Sequence, residues 1–253
     1  LVVNPVLWDW YNGEEGSKYN RTASAGESAV LAGQASIPEV PVDVYPDDVK
    51  ASFAEYGDAV IIPISRIGGE GYDCEFNEFN YLALSAEERE MMQWAADMKA
   101  AGTIKNIIVL INTSNALQVD FLKNNEYGVD ACLWIGYTGN YGMHGVANIL
   151  TGKADPSGRN VITYAANSLS SAAMQNMGDF TFSNLTGLYK NKYLIYAEGI
   201  YVGYKYYETR YEDYVIGAGN PGNYIYSDLV AFPFGYGLSY TTFQYSDMAV
   251  TYN

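Results

Sequence analysis

The run AVIIPIS at 59–65, followed by NIIVLI at 106–111, decides how this chain is read. Each is a continuous apolar stretch of strand length, as a strand covered on both faces requires. Between them, SAEEREMMQWAADMKAA at 85–101 has helical spacing. Met91, Trp94, Ala95 and Met98 make one stripe, and Ser85 and Glu88 stand in the S-x-x-E relation of a capping box. Gly102 follows as a stop. Strand, helix and strand in that order imply parallel pairing through a right-handed crossover. The alternation continues with a helix at 114–123, a strand ACLWIG at 131–136 and a helix at 141–150. The turn DPSG at 155–158 then leads into a fourth strand at 160–164. The middle of the chain therefore reads as α/β, a doubly wound sandwich with a mostly parallel sheet.

Working outward, residues 1–57 are rich in Gly, Pro, Ser and Asn, with Pro38, Pro41 and Pro46 close together. They read as loop with short strands, plus a helix near 47–55. On the other side, 167–192 is polar and irregular, 193–214 is dense in tyrosine, and FPFGYGLSYTTF stands at 232–243. Residues 243–252 alternate like one exposed strand, and a strand needs neighbours. The chain also starts at Leu1 with no Met and no signal-type apolar stretch. It reads as a processed or excised segment.

Composition narrows the function. Of 253 residues, 49% are apolar and 17% charged, enough for a sizeable core. Fourteen Lys plus Arg against 29 Asp plus Glu give a net charge of −15, which repels nucleic acid and anionic membrane surfaces. No apolar run approaches the roughly 20 residues of a membrane-spanning helix. Two Cys and one His argue against a disulfide framework, a Cys/His zinc site and Ser-His-Asp chemistry. Acid/base work then falls to carboxylates or tyrosine, with no metal or organic cofactor implied. Nothing here assigns a compartment. The 25 tyrosines suit either sugar stacking or the filling of sheet faces.

Two glycine patterns invite comparison with phosphate loops. The stretch at 217–222 fits G-x-G-x-x-G, but Pro221 and the following NYIYSDL open no helix, so it reads as a surface turn. The stretch GGEGYD at 68–73 lies just beyond the first buried strand, where ligands bind in open α/β sheets. Glycines around Glu70, Gly69 among them, allow a close backbone approach that brings a carboxylate to a ligand. A carboxyl held beside another, or partly dried, has its pKa raised into the general-acid range. The bland reading is a solvated Glu in an ordinary turn.

SRIGGEGYD at 65–73 resembles the acid/base loop of glycoside hydrolase family 3, the β-glucosidase family. NTSN at 112–115, DACLWIGYTGNYG at 130–142, ILTGKADPSGR at 149–159, EGIYVGYKYYETRY at 198–211 and FPFGYGLSYT at 232–241 match in the same order. The resemblance implies the family's second, (α/β)6-type sandwich domain at 1–242, lacking its opening strand, and the start of a fibronectin type III-like domain at 243–253. It implies Glu70 as the general acid/base, with Arg66, Gly69, Tyr72 and Asp73 around the substrate. Arg66 would steer Asp73 or a sugar hydroxyl, the alternative being a surface ion pair. Tyr72 would stack on a sugar or pack the loop down. The family's nucleophile is an Asp in an S-D-W motif on a TIM-like barrel. This chain has no S-D-W and no K-H-F-type motif, its one histidine being His144. The barrel would come from the same protein or a partner chain. The implied substrate is a β-glucoside or oligosaccharide, and homo-oligomerisation is left open. Rival readings are a β-xylosidase, an N-acetylglucosaminidase, a phosphorolytic enzyme or a non-catalytic carbohydrate-binding domain. Among the remaining residues, Glu198 is a weaker site candidate, His144 reads as structural, and Cys74 and Cys132 as free thiols.

Overall fold

The computed structural model describes residues 1–19, 39–66, 82–176, 180–184, 187, 191–219 and 222–252. Its centre is the expected α/β unit. Strands β1 (Val60–Ser65), β2 (Ile107–Asn112) and β3 (Ala131–Trp134) form a parallel sheet in that order. Ile64 pairs with Ile111, and Leu110 with Leu133. There is no closed barrel among the described residues.

One face of the sheet builds the core. The register sets Ile62 beside Val109 and Ile64 beside Ile111. These side chains, with Ile107, are buried together with Met91, Met92 and Ala95 and with Leu117 and Val119. The helix that supplies the methionines, α3 (Ala86–Ala100), carries the capping box read from the sequence: Ser85 Oγ accepts from Glu88 N at 3.1 Å, and Ser85 N donates to Glu88 Oε2 at 2.8 Å. Gly102 ends it with φ +76°, a left-handed conformation that glycine adopts at little cost. β2 is buried along most of its length. β1 is covered on one face only, with Pro63 exposed, which corrects the expectation of a doubly covered strand. Proline has no N–H to donate, and β1 borders a strand on one side only among the described residues.

The N-terminal segment departs from its reading as loop with short strands. Its described part holds no strand; it holds α1 (Pro5–Asn12) and two 3₁₀ turns, while α2 (Asp47–Ser52) stands where a helix near 47–55 is expected. The cause is local. The Asn4 side chain accepts from the backbone N–H of Val6 and Leu7, and Pro5 takes the first-turn position where its missing N–H costs nothing. Asn4 Nδ2 also donates to Ser52 Oγ at 2.7 Å, tying α1 to the end of α2. Trp10, Tyr45, Trp94 and Phe53 then pack ring to ring in sequence at 4.7, 5.4 and 5.3 Å between centroids, the first two pairs tilted and the last edge to face, pinning this segment to α3.

After β2 the expected helix at 114–123 shrinks to the single turn α4 (Asp120–Lys123). Leu117 and Val119 instead run buried into the core outside any helix or strand. Helix α5 (Met143–Leu150) follows β3 as expected. The fourth strand does not join the parallel sheet. β4 (Tyr164–Ala165) pairs antiparallel with the later β7 (Val230–Phe232). Asn160 exchanges backbone bonds with Tyr236 and Gly235 at 2.8 and 2.7 Å, so this stretch is already satisfied by the returning chain. Between them lie α6 (Ala172–Asn176), a small antiparallel pair β5 (Phe180–Thr181) and β6 (Lys192–Tyr193), α7 (Tyr204–Ile216) and α8 (Tyr226–Leu229). Residues 243–252 are exposed and form no strand, against the reading of that run. No helix among the described residues is long and apolar enough to cross a membrane.

Candidate active site

The carboxyl ends of β1, β2 and β3 lie side by side, and polar side chains stitch them together. Ser65 Oγ donates to Asn112 Oδ1 at 3.2 Å, and Asn112 Nδ2 donates to the carbonyl of Gly136. Trp134 Nε1 donates to Thr113 O at 2.9 Å, and the Tyr137 hydroxyl donates to Arg66 O at 3.1 Å. In a parallel sheet this edge is where loops gather to receive a ligand. The segment 65–73 leaves β1 here.

Arg66 is the one sequence-chosen site residue among the described residues, and the ion pair it forms there is a buried one rather than a surface one. The side chain is buried, and both terminal nitrogens meet protein acceptors. Nη1 donates to Glu88 Oε1 at 2.6 Å and to Ser65 O at 2.8 Å. Nη2 donates to Glu88 Oε2 at 2.7 Å and to Ala83 O at 2.6 Å. The pair is bidentate, and both side chains are 7% exposed. A buried guanidinium needs such a partner, because desolvation without one is prohibitive. Glu88 thus serves twice, capping α3 and neutralising Arg66.

Glu70, Gly69, Tyr72 and Asp73 lie outside the described residues, as does Cys74. Of the weaker candidates, Glu198 accepts from Asn176 Nδ2 at 3.0 Å, and that bond holds its carboxyl below the usual range. His144 is exposed on α5, and Cys132 is a free thiol on β3. Of the glycine pattern at 217–222, Gly217 ends α7 in the left-handed conformation at φ +67°, and residues 220 and 221 lie outside the described residues. Sequence reasoning passed over Asn115, the last residue of NTSN. Both polar atoms of its side chain are shielded from solvent without a hydrogen-bond partner. An unpaired buried amide just past the end of β2 is a group that a hydroxyl-rich ligand or a water would satisfy. Its place in a family-like motif was the available signal. Among the described residues, no group of three or more His, Cys, Asp or Glu side chains is arranged to hold a metal ion.

Comparison with known proteins agrees with this geometry. Residues 46–204 match the model of the glycosyl hydrolase family 3 C-terminal domain. The chain is 30% identical over 224 residues to beta-glucosidase A of Butyrivibrio fibrisolvens, covering 80% of this chain and 23% of that protein. It is 29% identical to a beta-glucosidase of Ruminococcus albus, covering 82% of this chain and 18% of that protein. Among solved structures, a beta-glucosidase from Paenibacillus barengoltzii superposes on 95% of this chain and 22% of its own, with TM-score 0.62 and 24% identity. This chain spans less than a quarter of the length of each of these relatives. By the family match, which takes in β1 to β3 and the segment between β1 and α3, the chain belongs to the glycosyl hydrolase family 3 C-terminal domains.

Proposed function

We propose that this chain is the acid/base-bearing domain of a retaining, exo-acting β-glucosidase, and that Glu70 is its proton donor. The observation that supports it most is the placement of SRIGGEGYD. It begins at the carboxyl end of β1, inside the family match, at the edge where the strand ends are stitched together. In a retaining mechanism two carboxyl groups sit about 5–5.5 Å apart across the glycosidic bond. The nucleophile, an Asp on a TIM-like barrel outside this chain, attacks the anomeric carbon. Glu70, protonated, gives its proton to the departing oxygen as that bond breaks. It then takes a proton from the water that releases the sugar from the barrel Asp, which restores both carboxyls. Gly69, Tyr72 and Asp73 shape the substrate's surroundings. On this reading residues 1–242 are the sandwich domain and 243–253 the start of a fibronectin-like one. The catalytic site is complete only with the barrel in place, so the chain alone hydrolyses no aryl β-glucoside.

The test is Glu70→Ala in the full-length enzyme. A dinitrophenyl glucoside needs no proton to lose its leaving group, so the glycosyl-enzyme should form and accumulate. Azide, which needs no deprotonation, should restore turnover and yield a β-glycosyl azide. Substrates with poor leaving groups should slow on the order of 10²–10⁴-fold. Equal slowing of good and poor leaving groups, with no azide effect, would place the catalytic acid elsewhere.

A further inference from the structure

The chain departs from the sheet at Arg66 and is next described from Leu82, at the approach to α3. Both ends of the intervening segment, 67–81, meet at one buried ion pair. Arg66 ends the first side, and Ala83, Ser85 and Glu88 stand on the other. The guanidinium reaches Ala83 O and both oxygens of Glu88, and Glu88 Oε2 in turn accepts from Ser85 N. A third element joins through Tyr137, whose hydroxyl donates to the carbonyl of Arg66 itself. The backbone of Arg66 is held as well, its N–H donating to Asn112 O at 3.3 Å.

Such a pair is a poor device for stability alone. Desolvating two charges offsets most of their attraction, and an apolar pair of similar volume serves as well or better. What the bidentate fork does supply is direction: a planar guanidinium against a planar carboxylate fixes angle as well as distance. Here that fixed geometry ties the two stems of the segment that carries Glu70.

We infer that Arg66, Glu88 and Tyr137 are positioning residues, a clamp that sets where the proton donor stands without touching the sugar. The inference rests on the reading of Glu70 as the acid/base. A proton donor works only in near-attack geometry, and a displacement of about 1 Å costs on the order of 10²-fold. Loosening the clamp should therefore weaken protonation of the leaving group more than any other part of catalysis.

The experiment compares Arg66→Lys and Glu88→Gln with the parent in the full-length enzyme. Lysine keeps the charge and loses the fork; glutamine keeps an acceptor for Ser85 N and loses the charge. The readout is kcat/KM, which reports the first chemical step, for dinitrophenyl β-glucoside and for methyl β-glucoside. The expected result is a loss of roughly 10- to 100-fold on the methyl glucoside, against about threefold or less on the dinitrophenyl glucoside. Equal losses on both substrates, or none on either, would overturn the clamp, since a merely structural defect lowers the active fraction for all substrates alike. Tyr137→Phe, which removes one hydroxyl and leaves the ion pair intact, decides the matter if the charge variants do not fold. It should show the same split, smaller in size, and no split would again overturn the inference. Glu70→Ala is run alongside. If it shows the leaving-group split while the clamp variants slow both substrates equally, only the clamp falls. If Glu70→Ala shows no split, the acid/base reading falls and the clamp falls with it.

Discussion

Replacing Arg66 and Glu88 by methionine, singly and together, separates the cost of breaking their ion pair from its net worth. Both side chains are 7% exposed, so neither charge can turn to water without moving the structure. Arg66→Met leaves the Glu88 carboxyl buried and reduced to one donor, Ser85 N. It also strips donors from Ala83 O and Ser65 O. Breaking a buried pair in this way costs about 3–5 kcal/mol. Glu88→Met takes the carboxylate from the guanidinium, which keeps the carbonyls of Ser65 and Ala83 among the described residues, and removes half of the α3 capping box, for a similar loss. The double variant carries no buried charge. It still leaves Ala83 O, Ser65 O and Ser85 N without these partners, at about 1 kcal/mol or more each. Against this stands a gain of about 1–4 kcal/mol from the apolar pair. The double variant should thus lose no more than either single one, a coupling of at least about 3 kcal/mol where additivity would hold to about 0.5. Urea unfolding followed by tryptophan fluorescence measures it, provided the m-values agree. Additive losses would show that the two side chains do not share one buried network.

Three further perturbations probe separate features. Ser85→Ala removes the acceptor for Glu88 N at the start of α3 and should destabilise by about 1 kcal/mol, read as a lower urea midpoint; an unchanged midpoint would mean that the cap is idle. Met92→Ala empties a fully buried position on α3 and should cost about 2–5 kcal/mol in thermal unfolding; less than 1 would mean that the core closes around the gap. Asp130 is held below the usual carboxylate range first by the side-chain bond from Lys99 and then by the backbone N–H of Ile107. Its folded pKa being the lower one, its contribution is full above the unfolded value of about 3.9 and is lost as pH falls through the folded value. The side chain is 37% exposed, so solvent screening keeps the effect small. Between pH 5 and 2, Asp130→Asn should lose stability less steeply than the parent, and identical slopes would refute the shift.

The elements legible in the sequence are those whose signals are local. A run of consecutive β-branched and aliphatic residues could be little else than β2, and a serine three residues before a glutamate marked the start of α3. The N-terminal helix was also written locally, in Asn4-Pro5, but the glycine- and proline-rich surroundings masked it. What could not be read is what depends on distant partners. The stretch at 160–164 looks like one more strand of the parallel sheet, yet its backbone bonds go to chain some 70 residues later, at 230–236. Helix α7 buries only Tyr207, so it shows no apolar stripe to find. At the candidate site, the glutamate loop was legible as a motif while the behaviour of Arg66 was not. An arginine at a strand end says nothing about direction, and its partner had already been assigned a local task as the cap of α3.

The same asymmetry runs through the packing. The main core draws almost wholly on residues before β3, with Tyr164 the one buried member beyond it. β3 itself has no buried residue, although strands of parallel sheets are normally covered on both faces. In α5, a helix of eight residues, Val146 alone is buried. Beyond it Leu194, Tyr196, Ile200 and Leu238 are each at least 70% exposed. Large apolar side chains exposed in such number mark contact sites rather than finished exteriors. Tyrosine, the commonest aromatic of this half, suits such a surface, since its ring packs while its hydroxyl stays hydrated. The β1–β2–α3 unit, where Arg66 and Glu88 join, therefore has its own core to hold it rigid. The apolar faces around β3 and α5 are left for whatever packs against them. Under the function proposed above, such a division would keep the stems beside Glu70 fixed while the contact surface is completed by the domain that carries the nucleophile.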